Sequence, residues 1–95
     1  FVDVTADWCI TCQANKAGVL LQDPVFTALG EKHVTRLRGD WTKANESVTQ
    51  YLKANNTFGV PFNKVYGPGA PDGITLPVVL SKDKVMDALE DAREQ

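Results

Sequence analysis

Cys9-Ile10-Thr11-Cys12 holds both cysteines of the 95-residue chain. A C-x-x-C that follows a strand pattern and opens a helix reads as a dithiol–disulfide motif. The setting supplies the chemistry. A thiol at a helix N-terminus faces unpaired backbone N–H groups and the positive end of the helix dipole. Both favour the thiolate, taking a thiol pKa from about 8.5 toward neutral. The three-residue offset sets Cys12 one turn further in, within bridging reach and more shielded. Cys9 is then the attacking thiol and Cys12 the resolving one. Two other roles compete. A purely structural bridge would close only a four-residue loop, with a chain-entropy effect of about 2 kcal/mol, and would tie no distant elements together. A zinc site wants four ligands, and only His33 adds a soft partner to the two thiols. Two-coordinate copper(I) suits soft thiolates and is the alternative function, a copper-binding C-x-x-C module.

Asp3 is the anomaly upstream, a carboxylate inside an apolar run. Burial there is costly and should raise its pKa. Such an acid could exchange a proton with Cys12 while a mixed disulfide resolves. The competing reading is a solvated aspartate on an exposed strand face.

The elements that must position these groups can be read from the apolar pattern. Phe1-Val2-Asp3-Val4-Thr5 reads as a buried strand. A helix follows to about Leu21, with Ile10, Ala14, Ala17 and Leu21 on one face. Asp23-Pro24 restarts a short helix, Asp23 as N-cap and Pro24 at its first position, burying Val25 and Leu29 and stopping at Gly30. His33 to Gly39 reads as a weak strand, and Asp40-Trp41-Thr42 as a loop. From about Ala44 to Asn55, Val48, Tyr51, Leu52 and Asn55 share a helix face. Phe58-Gly59-Val60-Pro61 is a turn. Phe62 to Tyr66 is a strand, with Phe62, Lys64 and Tyr66 on one side and Asn63 and Val65 on the other. Residues 67–73 are dense in turn formers and fit a hairpin loop before a short strand, Ile74-Thr75-Leu76. Ser81 caps a last helix with the stripe Val85, Ala88, Leu89 and Ala92. The order is β-α-α-β-α-β-β-α, an α/β fold with a mixed central sheet and helices on both faces. The first two strands should be parallel through a helical crossover, and the last two an antiparallel hairpin.

Composition narrows the function classes. Ten Lys and Arg against 12 Asp and Glu give a net charge of -2, with no basic footprint for nucleic acid. No run approaches the ~18 apolar residues of a membrane span. A chain of this size can bury about 64% of its unfolded surface. That supports one core, and the 43% hydrophobic content excludes disorder. Two cysteines are too few for a disulfide-built scaffold. No repeat, linker or low-complexity tract is visible, so residues 1–95 read as one soluble, monomeric domain without a cofactor. The chain opens at Phe1 with no charged leader region, and it is expected to be a domain excised from a longer protein.

The stretch Asp3 to Cys12, with Gly59-Val60-Pro61, resembles the thioredoxin superfamily. Ala6-Asp7-Trp8-Cys9, Asp40-Trp41-Thr42, Gly59-Val60-Pro61 and Leu76-Pro77 together resemble one branch. That branch is the C-terminal periplasmic thioredoxin-like domain of DsbD- and ScsB-type thiol:disulfide interchange proteins. The resemblance implies a thioredoxin-like fold and a relay. Electrons would come from a transmembrane domain of the parent inner-membrane protein and pass to periplasmic disulfide proteins. It makes Cys9 and Cys12 the catalytic pair, and Asp3, six residues before Cys9, the buried acid. It makes Pro61 a cis-proline that sets the Val60 backbone opposite the sulfurs. Trp8, Ile10, Thr11, Val60 and Pro61 then form the substrate-binding surface, with Trp8 shielding the site, the competing reading of Trp8 being simple core packing. Lys16 departs from the pattern, because relatives often carry an acid seven residues after the first cysteine. Asn63 and Lys64 depart too, where apolar strand residues are expected, which suggests a strand at an edge or facing a partner. His33, Trp41 and the acidic last helix read as surface or packing features.

Overall fold

A computed structural model describes residues 1–31, 34–43, 45–57 and 59–93. His33, Ala44 and Phe58, which enter the expectations above, lie outside the described residues. Strand β1 (Val2–Thr5) leads into helix α1 (Ile10–Asn15), which continues as a π-wound turn over Lys16–Leu20. Helix α2 (Val25–Leu29), strand β2 (Leu37–Asp40) and helix α3 (Glu46–Ala54) follow. Strands β3 (Phe62–Gly67) and β4 (Ala70–Thr75) form the hairpin, and helix α4 (Lys82–Arg93) closes the chain. The sheet order is β2-β1-β3-β4. β1 pairs parallel with β2 and antiparallel with β3, and β3 pairs antiparallel with β4.

Alternation along the strands assigns the two faces. Val4 of β1 and Phe62 of β3 pack with Leu52, Val48 and Tyr51 of α3 on one side. Val65 turns to the other, where it meets Val19, Leu20, Val25, Leu29, Val85 and Ala88. α3 therefore covers one face, while the π-wound turn, α2 and α4 cover the other, so helices lie on both faces as expected. Local caps agree with it. Gly30 ends α2, and the Asp23 carboxylate accepts from the Thr27 N–H at 3.1 Å. Pro24 takes the cap position itself, so α2 starts one residue later than expected. Ser81 Oγ accepts from the Lys84 N–H at 3.2 Å ahead of the buried stripe Val85, Ala88 and Ala92.

Three expectations need correction. The stripe Ile10, Ala14, Ala17 and Leu21 faces outward, and Cys12, Asn15, Val19 and Leu20 face inward. Ile10 and Ala14 already point outward within α1, and the buried Cys12, Asn15 and Val19 run at helical spacing on the opposite face. Further on, the Leu21 N–H bonds the Lys16 carbonyl, five residues back, so the turn over 16–20 is wider than an α turn. The hairpin loop shrinks to Pro68-Gly69, because β4 already runs through Pro71, Asp72 and Gly73. An edge strand tolerates proline, and Gly73 adopts φ 90°, a left-handed conformation that glycine accepts readily. Finally, β3 is an interior strand, so Asn63 and Lys64 do not mark an edge. Asn63 is bonded to Asp3 and Lys64 Nζ to Asn55 Oδ1.

Candidate active site

β1 ends at Thr5, and the next four residues turn the chain into α1. The Cys9 N–H closes that turn on the Ala6 carbonyl at 3.1 Å. Cys9 is the N-cap of α1, with extended backbone (φ -89°, ψ 105°), and its Sγ accepts from the Cys12 N–H at 3.1 Å. A sulfur thus takes the place of the usual capping oxygen, and a helix-terminal donor points at it. Cys9 and Cys12 form a disulfide with Cα atoms 5.2 Å apart. Each is 6% exposed, so burial does not separate them in this oxidised state. The geometry does, because the helix-terminal N–H is aimed at the Cys9 sulfur.

The pair sits in a small apolar pocket of Ala6 and Val60. The Val60–Pro61 peptide is cis, as the resemblance implies. Val60 is half-buried against the cysteine cluster and Pro61 is buried. Trp8 is 59% exposed and Ile10 85% exposed, while Thr11 is half-buried. Trp8 therefore stands on the surface beside the sulfurs rather than in the core. An open rim of large apolar side chains next to a disulfide suits contact with another protein.

Asp3 is half-buried on β1, and its side chain turns to the face opposite Val2 and Val4, the face covered by the π-wound turn, α2 and α4. Its Oδ1 accepts from Asn63 Nδ2 at 2.7 Å. Burial raises the Asp3 pKa above the ordinary carboxylate range, and the Asn63 bond and the charges of Arg38, Arg36 and Lys16 only partly oppose it. Lys16 itself is exposed on the π-wound turn.

Three supports hold the site, and the sequence gives none of them this role. Asn15, 4% exposed, donates from Nδ2 to the Val78 carbonyl at 2.8 Å, and its Oδ1 accepts from the Leu80 N–H at 3.0 Å. It pins α1 to the segment before α4. The Asp40-Trp41-Thr42 block braces the turn that carries Trp8. Thr42 Oγ1 accepts from the Asp7 N–H at 2.8 Å, and the Thr42 carbonyl accepts from Trp8 Nε1 at 3.1 Å. The Trp41 ring lies 6.5 Å from that of Trp8. Asp40 accepts from the Thr42 hydroxyl and N–H, which hold its carboxyl below the usual range. Asn63 is the third support. Its only signal is compositional, an amide in an otherwise apolar strand position.

Among the described residues, no three His, Cys, Asp or Glu side chains gather as a metal group. Copper(I) binding would rest on the two sulfurs alone. A cavity of about 650 Å³ lies at the other end of the sheet, lined by Phe1, Val34, Leu37, Val65 and Leu89, and contains neither cysteine. Among the described residues, no helix is long and apolar enough to cross a membrane.

Comparison with known proteins places this geometry. A family profile described as thioredoxin-like matches residues 1–68. The fold is similar to crystal structures of the Neisseria meningitidis DsbD C-terminal domain in its oxidised and reduced forms. Each shares 28% identity, covering 97% of this chain and 78% of the other, with TM-scores of 0.73 and 0.72. No curated protein sequence matches the chain.

Proposed function

The chain belongs to the thioredoxin-like family, and from that premise we propose that it is a thiol-disulfide oxidoreductase acting as a protein-disulfide reductase. The observation that carries this reading is the Cys9–Cys12 disulfide at the start of α1, capped by its own sulfur and rimmed by Trp8 and Ile10. In the reduced form the same Cys12 N–H would stabilise a Cys9 thiolate. That thiolate attacks one sulfur of a partner disulfide, and the other partner sulfur leaves with the bonding pair. Cys12 then attacks Cys9, forming the domain disulfide and releasing the second partner sulfur. Two electrons pass from dithiol to disulfide in each cycle.

Asp3 takes the Cys12 proton in the second step, for which a raised pKa and a place on β1, the strand that leads into the cysteine turn, suit it. Val60 and Pro61, with Trp8, Ile10 and Thr11, receive the extended partner segment. In the fuller setting, a membrane-embedded donor re-reduces the pair and periplasmic disulfide proteins accept the electrons. The likeness to the DsbD C-terminal domain supports that setting.

The test is reduction of insulin disulfides in metal-free buffer with a limiting small-molecule dithiol as electron source. The expected result is a rate well above that of the dithiol alone, lost in Cys9→Ser. A rate equal to the dithiol alone contradicts the proposal.

A further inference from the structure

We propose that Asn63 is the positioning residue that orients the Asp3 carboxyl for proton exchange with Cys12, a role that rests on the oxidoreductase reading above. Asn63 is 2% exposed and directly opposite Asp3 in the β1–β3 register. Its amide donates to Asp3 Oδ1 at 2.7 Å. It lies two residues beyond Pro61, so the chain that passes the cysteines at Val60 also delivers the amide. An apolar side chain would fill this interior position without the desolvation cost of an amide. The cost is offset only because the amide has the carboxylate as partner.

The bond decides which carboxyl oxygen is free. An Asp3 proton on Oδ1 would point at the Asn63 N–H donor. With the proton on Oδ2, Oδ1 keeps accepting from Asn63 in both protonation states. Oδ2 is therefore the oxygen that takes and returns the proton. In the resolving step the Cys12 thiol gives its proton to Asp3 Oδ2. The new thiolate forms the Cys12–Cys9 bond as the bond from Cys9 to the partner breaks. The partner sulfur leaves with the electron pair and is protonated from water, and Asp3 returns its proton to solvent.

The charged groups around Asp3 are cations on neighbouring elements: Arg38 opposite it on β2, Arg36 just before β2, and Lys16 on the π-wound turn. All three are exposed and screened by salt, whereas the Asn63 bond is a part-buried contact at 2.7 Å.

The test pairs two readouts on the whole chain. One is the Asp3 carboxyl-carbon titration by NMR. The other is the pH dependence of mixed-disulfide resolution. In Asn63→Leu, Asp3 should titrate at higher pH, and the acidic limb of resolution should move up with it. In an Asp3→Asn background, Asn63→Leu should leave the resolution profile unmoved. If Asn63→Leu does not fold, Asn63→Ser, too short to reach Oδ1, carries the same expectation. An unchanged Asp3 titration, or a shifted titration with an unmoved limb, overturns the role. Failure of the oxidoreductase reading looks different. The wild-type chain would then reduce no disulfide at all, which removes this role too, while the Asp3 titration would still report the Asn63 bond.

Discussion

Two packed regions of this molecule, the core under α4 and the surroundings of the cysteines, are built on different terms. Under α4 the core is wholly apolar, with Val25, Leu29, Val65 and Val85 at its centre. Around the cysteines the apolar cluster is only Ala6, Cys9 and Cys12 with Val60. The buried polar side chains among the described residues, Thr5, Asn15 and Asn63, all lie on β1, α1 and β3, the elements that carry or abut the disulfide. Apolar burial is non-directional and supplies stability in proportion to area. Hydrogen bonds from buried amides are directional and set position. The first region holds the fold together, and the second holds α1, Asp3 and the cysteines in register.

This division predicts which substitutions affect stability and which affect chemistry. The largest loss of stability should come from the α4 side. Leu29→Ala should cost about 2–5 kcal/mol, since Leu29 is 1% exposed. Denaturant unfolding reads the loss, while the disulfide exchange rate per folded molecule should not change. A large change in that rate would show the two regions to be coupled.

A smaller effect, with a different signature, should come from Asn15. Asn15→Ala leaves the buried Leu80 N–H without its acceptor, at a cost of about 1–3 kcal/mol. Because it also frees α1 from the 78–80 segment, exchange should slow in the molecules that remain folded. An unaltered exchange rate would reduce Asn15 to a purely structural role.

Asp3 should behave in the opposite sense. Its folded-state pKa is raised, so the native state binds the proton more tightly than the unfolded chain does. Its contribution is then most favourable below the unfolded pKa and is lost as pH rises through the folded one. Asp3→Asn should therefore raise the melting temperature at pH 7, by roughly 5 °C for each kcal/mol gained, and should change little at low pH. Reductase turnover at pH 7 should fall in the same variant. A variant that is both more stable and fully active would remove Asp3 from the chemistry.

These differences also explain what the sequence made legible. The α4 stripe and the α3 face were readable because apolar periodicity records large buried areas. The C-x-x-C was readable because its chemistry demands a strand-to-helix junction. The inward face of α1 is not, since it is built from Cys12 and a buried Asn15 that no apolar pattern marks, while the exposed face carries the apolar Ile10 and Ala14. Asn63 looked like an edge residue for the same reason, because its partner Asp3 lies 60 positions away. The hairpin loop is shorter than its turn formers imply, since Pro71 and Gly73 sit in β4, an edge strand that accommodates both.

The account turns on Cys9 as the attacking sulfur and Cys12 as the resolving one. The most direct measurement is capture of a partner disulfide by single-cysteine variants, resolved on a non-reducing gel. Cys12→Ser should accumulate a mixed disulfide through Cys9 that a reductant releases, and Cys9→Ser should accumulate none. Equal capture by both variants, or capture by Cys9→Ser alone, would contradict the assignment.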